Sequence, residues 1–255
     1  MCDISAITLS VDYSAYRLNS VIELPYIGFP DSEIATIVRG ELIDGFPEVK
    51  AEYEGTEILY QGVSLPGYIN TTKKALRTPE DIKGMKICGI GTGLKVLEVL
   101  GASPVTVMPT ELYLSLDRGV AEGANAPYIA MGALNVLKLL PYHNDTPINY
   151  GCFHVVMSSK TWNSLPADVR KVFTDLNPLV AEADLNVLSG AETWFRKQAE
   201  SLGHTFIKNT PEEIEVWKEK VKSLHAEWIE DNEKRGLPGQ AVYDEVLRLI
   251  KKHSE

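Results

Sequence analysis

The fifty residues from Thr78 to Pro127 constrain the fold more than any other stretch, because they hold one complete α/β layer. Thr78 stands at the cap of a short helix, with Pro79 in its first turn, Asp81 placed to meet the free amides and Gly84 closing it. A strand is expected over 85–90, and the turn Gly91-Thr92-Gly93 then opens a helix over 94–100 whose apolar side is Leu94, Leu97 and Leu100. A second strand over 105–108 ends at Pro109, Thr110 caps a helix over 111–118, and Gly119 releases the chain into 120–126. Strands alternating with short helices imply a parallel sheet, and ligands of such sheets sit where strands end and helices begin.

Upstream, Cys2–Leu9 reads as a strand with no capping or polar lead-in, which points to a start in the middle of a domain. A helix over 31–43 carries Ile34, Ile37, Val38 and Leu42 on one face, and Gly45-Phe46-Pro47 breaks it. Strands are expected over 58–65 and 67–70, a helix over 128–140 and a strand over 150–158. From Pro166 to Leu202 the apolar residues keep a helical period for ~36 residues, so an unbroken helix would be about 54 Å long. That exceeds the width of one small lobe, and such a helix serves best as a beam between two. Pro178 predicts a bend near Asn177. A capping box at Thr210-Pro211-Glu212-Glu213 starts a helix running to Gly236, and 241–252 is the last helix.

Composition narrows the function. The net charge of −10 and the absence of any Lys/Arg run argue against a nucleic-acid partner. No run of eighteen apolar residues occurs, and no signal-peptide pattern precedes the first strand. The three cysteines and five histidines lack metal-ligand spacing. Gly89, Gly91 and Gly93 sit at a strand-to-helix turn, yet a dinucleotide fingerprint would need its third glycine at 94, which is Leu94, and an acid after the next strand. What survives is a glycine-lined helix N-terminus able to hold a polar or anionic group. With no catalytic constellation, metal site or cofactor motif visible, a two-lobed ligand binder is favoured over an enzyme.

The runs TPEDIKGMKI, GASPVTVMPTELYLSL, RGVAEGANAP and SSKTWNSLPADVRKV, with VIELPYIGFPDSE and AEYEG upstream, resemble the solute-binding proteins of TRAP transporters, the DctP type. The resemblance implies an α/β fold of two periplasmic-binding-protein-like lobes with a long cross-lobe helix over about 166–202. Lobe I would comprise 1–67 and 154–193 and be incomplete at its N-terminus, and lobe II would comprise 68–153 and 194–255. It further implies a periplasmic protein that closes on a small organic solute, an organic acid or a less polar or aromatic compound, and delivers it to TRAP membrane subunits. The alternative is a ligand-sensing domain or a small-molecule enzyme on a similar two-lobed fold.

The departures from the family pattern are informative. The arginine that follows the family's Gly-Leu/Met-Lys-Ile/Val strand and clamps the solute's carboxylate falls on Cys88, and the asparagine before the proline of the Asp-Gly-x-Glu-Asn-Pro block falls on Ala126. Asn125 is one place off, which in a strand reverses the face. A cleft aromatic falls on Pro109 and an occasional polar contact on Tyr68. A cysteine cannot replace a bidentate arginine, so the solute is expected to be held without the usual clamp, unless Lys95 or Arg17 supplies the charge from another direction. Further cleft candidates, at strand ends and turns, are Thr8, Tyr13, Tyr26, Thr92, Met108, Tyr113, Tyr150 and Phe153. Cys88 and Cys152 both fall on strands near the expected cleft, which leaves a disulfide between them open.

Overall fold

The computed structural model describes residues 3–9 and 13–254. Cys2, the expected start of the first strand, lies outside the described residues. In chain order come β1 (Ile4–Thr8), α1 (Ser32–Gly45), α2 (Pro47–Ala51), β2 (Thr56–Val63) and β3 (Tyr68–Thr71). The layer anticipated from the sequence follows as β4 (Lys86–Cys88), α3 (Thr92–Val99), β5 (Ser103–Val105), α4 (Leu112–Asp117), β6 (Gly123–Ala126) and α5 (Tyr128–Ala133). The remainder is β7 (Tyr142–Asn144), β8 (Cys152–Ser158), α6 (Ser159–Ser164), α7 (Ala167–Ser201), β9 (Thr205–Ile207), α8 (Pro211–Val221), α9 (Ser223–Lys234) and α10 (Gly239–Ser254).

Local chemistry sets the boundaries. The Asp31 side chain accepts the Ile34 amide at 2.8 Å to start α1. The Asp81 carboxylate accepts the amides of Arg77 and Thr78 at 2.8 and 2.9 Å around the expected short helix, which is a 3-10 turn over Pro79–Ile82. Glu213 and Thr210 exchange hydrogen bonds at the head of α8. Several boundaries differ from expectation by a residue or two, and three differ more. The helix over 128–140 stops at Ala133 because Asn135 adopts a left-handed backbone (φ 57°), and a separate 3-10 turn follows at Leu137–Leu139. The helix expected to run to Gly236 is divided at Lys222 into α8 and α9. Strand β5 ends at Val105, so Met108 and Pro109 lie beyond it.

Two sheets result. The first has the order β1-β8-β2 and is antiparallel throughout, with Thr8 opposite Phe153 and Gly62 opposite Phe153 on the other side. The second has the order β5-β4-β6-β3-β7-β9. Its β5-β4-β6 part is parallel, as the strand–helix alternation requires, whereas β3 runs antiparallel to both neighbours and β7 pairs parallel with β9. Each sheet supports its own core, and the second is covered on both faces, with Ile87 in one cluster and the adjacent Cys88 in another.

The chain crosses between the sheets at 64–67 and again at 145–151, and the crossings are tied to each other: the Ser64 amide donates to Gly151 at 2.7 Å and the Gly67 amide to Asn149 at 2.8 Å. Helix α7 is a third link, continuous for 35 residues through Pro178, or about 52 Å. Tyr60 of the first sheet donates to its Asp184 at 2.9 Å, while its Glu192 accepts the amides of Tyr128 and Ile129 beside the second. The C-terminal helices form a fourth link. The expected partition put all of 194–255 with the second lobe, but α9 carries Leu224 in the second-lobe core and Trp228 in the first, and Val242, Val246 and Leu249 of α10 pack against α1 in the first. Among the described residues no helix is long and apolar enough to cross a membrane.

Candidate ligand-binding cleft

A cavity of about 570 Å³ opens between residues of the two lobes beside α9, a volume suited to a small organic molecule. One wall belongs to the first lobe and presents Tyr13, Ser20, Glu23 and Leu24. The facing wall is the start of α3 and presents Gly91, Thr92, Lys95 and Val96. Helix α9 closes the third side with Leu224, Glu227, Trp228 and Asp231. The turn into α3 needs Gly91, whose φ of 52° with ψ of −131° is a conformation that side chains disfavour.

Glu23 is the most constrained group of the site. It ends the 3-10 turn Asn19–Glu23 and is 1% exposed, yet both of its oxygens have partners. Oε1 accepts the Cys152 amide at 2.9 Å, and Oε2 accepts the Thr92 hydroxyl at 3.1 Å from the opposite lobe. Burial pushes its pKa up, against the lowering effect of those two bonds and of the buried Arg39. Around it, Trp228 Nε1 donates to Ser20 Oγ at 2.9 Å. Arg17 reaches Asp231 at 3.3 Å while lying 5.8 Å from the centre of the Tyr13 ring.

Tyr13, Thr92 and Lys95 are thus brought together at one cavity, with Arg17 beside it and already paired. Cys88, Tyr68 and Ala126 form a different group. Tyr68 and Ala126 are cross-strand partners, and both pack with Cys88 in the core under α4 and α5. Cys88 is 4% exposed and its thiol is pushed up to about 11 by burial. Asn125 does point to the opposite face: its Nδ2 donates to Asn149 at 3.0 Å, close to Gly67 and Gly93, and its buried Oδ1 has no partner among the described residues.

The other candidates do not converge on the cavity. Tyr150 packs edge-on against Phe29 at 5.8 Å, and Phe153 leans on Tyr60 at 5.7 Å. Tyr26 is packed beside the second-lobe core with its hydroxyl buried and, among the described residues, unpartnered. Thr8, Pro109, Met108 and Tyr113 are exposed, the last two by 65% and 42%, because β5 ends early and β1 is an edge strand. Cys88 and Cys152 are free thiols in separate cores, so the disulfide left open by the sequence does not form.

The polar wall residues Ser20, Glu23, Glu227 and Asp231, the indole of Trp228 and the apolar Leu24, Pro25, Val96 and Leu224 were not among the candidates expected from the sequence. Glu23 left one signal, an acid inside the apolar run Val21–Leu24. Glu227, Trp228 and Asp231 of α9 left none, since an acidic helix face reads as a solvated one.

Comparison with known proteins agrees with this architecture. The family model for bacterial extracellular solute-binding protein, family 7 (DctP), matches residues 15–232. A C4-dicarboxylate-binding periplasmic protein of Rhodobacter capsulatus is 29% identical over 170 residues, which are 64% of this chain and 50% of that protein. The chain spans about half the length of the curated relatives it matches. A TRAP periplasmic solute-binding protein of Desulfovibrio salexigens superimposes with a TM-score of 0.86 at 28% identity, covering 98% of this chain and 78% of the other. A TRAP solute-binding protein of Rhodoferax ferrireducens, in complex with copurified benzoate, gives 0.89 at 24% identity over 99% of this chain and 80% of its own, a likeness of fold. With its two sheets, linking segments and long α7 accounted for, the chain belongs to the DctP family, the bacterial extracellular solute-binding proteins of family 7.

Proposed function

We propose that this chain captures a small organic solute in the interlobe cavity, in the periplasm, and presents it to the membrane subunits of a TRAP-type transporter. The observation that carries this reading is the cavity itself: about 570 Å³, walled by both lobes and by the helix α9 that joins their cores. A solute that touches both walls of such a cavity favours the closed arrangement of the lobes. The relatives named above for C4-dicarboxylates and found with benzoate support small organic molecules as the solute class. Capture here proceeds without an arginine–carboxylate clamp at position 88, where the buried thiol offers no cation.

Isothermal titration of the full chain against organic acids, amines and polyols tests the proposal. Saturable one-to-one binding is the expected result, abolished when the cavity is filled by Thr92→Trp. Failure of every such solute to bind would overturn it.

A further inference from the structure

The cavity presents charges of both signs on different walls. Lys95 of α3 is exposed and pairs at 3.4 Å with Glu98 one turn on, a surface contact that leaves its ammonium available. On α9 the situation is mixed. Asp231 is taken by Arg17 at 3.3 Å and by Arg235 at 3.2 Å, and Glu23 is occupied by Cys152 and Thr92. Glu227 lines the cavity exposed, with no hydrogen bond or ion pair among the described residues. Among the described residues the site therefore offers one available cation and one unpaired anion on different walls, in a cavity also lined by the apolar Leu24, Val96 and Leu224.

A solute that covers this cavity strips water from both groups. A carboxylate-only solute would satisfy Lys95 and leave Glu227 dehydrated beside a like charge, whereas an amine-only solute would reverse the fault. A molecule carrying both charges leaves neither unpaired, and complementary charge is what fixes orientation and excludes wrong partners. Resting on the reading of the chain as a solute-binding protein, we propose that its solute is a small zwitterion, with its ammonium group against Glu227 and its carboxylate against Lys95.

Six probes on the full chain decide it by titration calorimetry. 4-Aminobutyrate, succinate and 1,4-diaminobutane share a four-carbon frame, and phenylalanine, 3-phenylpropanoate and 2-phenylethylamine share an aromatic one. In one frame the zwitterion should bind about tenfold or more tightly than both of its single-sign relatives. Glu227→Gln should remove its advantage over the anion, and Lys95→Met its advantage over the amine. No zwitterion advantage in either frame overturns the class. Tight binding of succinate or 3-phenylpropanoate with no such advantage overturns it while leaving solute capture standing, and no binding by any solute of the broader screen removes both.

Discussion

The Thr92 hydroxyl donates to the Glu23 carboxylate at 3.1 Å, and this bond ties the first turn of α3 in one lobe to the 3-10 turn of the other. The second Glu23 oxygen holds the Cys152 amide at the start of β8, so one buried acid fixes both the crossing strand and the facing lobe. Thr92→Val should cost about 1–2 kcal/mol in denaturant titration, because it leaves Glu23 Oε2 buried without its partner. An unchanged midpoint would show that the lobes are not held together there.

The pH dependence of Glu23 follows from its raised pKa. A carboxyl whose folded pKa lies above its unfolded value of 4.5 adds stability that is complete below 4.5 and is lost as pH rises through the folded value. Glu23→Gln keeps the shape and removes the titration. The natural chain should therefore lose stability relative to this variant as pH rises above 4.5. Parallel pH profiles for the two proteins would contradict the assignment.

His143 behaves oppositely. It is fully buried, its Nδ1 is 2.7 Å from Asn70 Oδ1 and its Nε2 is 3.0 Å from His204 Nδ1, and burial lowers its pKa to about 3. A depressed histidine contributes stability that is present above its unfolded value of 6.5 and falls as pH drops toward 3. The slope of unfolding free energy between pH 6 and 4 should include roughly 1.4 kcal/mol per pH unit from this residue. His143→Gln should flatten that slope, and an equally steep profile in the variant would sink the prediction.

How much of this was legible in the sequence depended on the range of the interaction involved. Caps are local, and Thr78 with Asp81, and Thr210 with Glu213, stand where the sequence put them, whereas Asp31, read as the first residue of its helix, is its cap. The reversal of Asn125 relative to Ala126 was also readable, since alternation along a strand needs no partner. Asn135 was not readable as a helix stop, because its left-handed backbone is one of several conformations open to asparagine. The cavity was only half visible. Thr92 announces itself by the glycines around it, whereas Glu227 and Trp228 come from a helix more than 130 residues later, brought in by packing that no spacing records.

Position 88 offers a direct contrast between family pattern and local packing. Cys88 is enclosed by the core that contains Leu112, Leu116 and Ala124. Cys88→Arg would place a guanidinium there without a carboxylate, at a cost of about 3 kcal/mol or more. The expected result is a lower unfolding midpoint with no gain in succinate affinity. A stable variant that binds succinate tightly would mean that position 88 still faces the solute.

Gly67 sits in the first crossing between the sheets, and a methyl group built on it would lie 2.5 Å from Asn125 Oδ1 and 3.2 Å from Asn149 Oδ1. Both obstacles are side-chain amides, and Asn125 Oδ1 is already buried without a partner, so the crossing tolerates this pair only because residue 67 has no Cβ. Gly67→Ala alone should destabilise the chain by about 1–3 kcal/mol through overpacking. Asn125→Ala removes the nearer obstacle together with the unpaired oxygen, and the double variant should recover much of that loss. The two residues touch, so their effects should be non-additive by about 0.5 kcal/mol or more. Additive losses in urea titrations of the three variants would place the cost of Gly67→Ala in the backbone of the crossing rather than in its contact with Asn125.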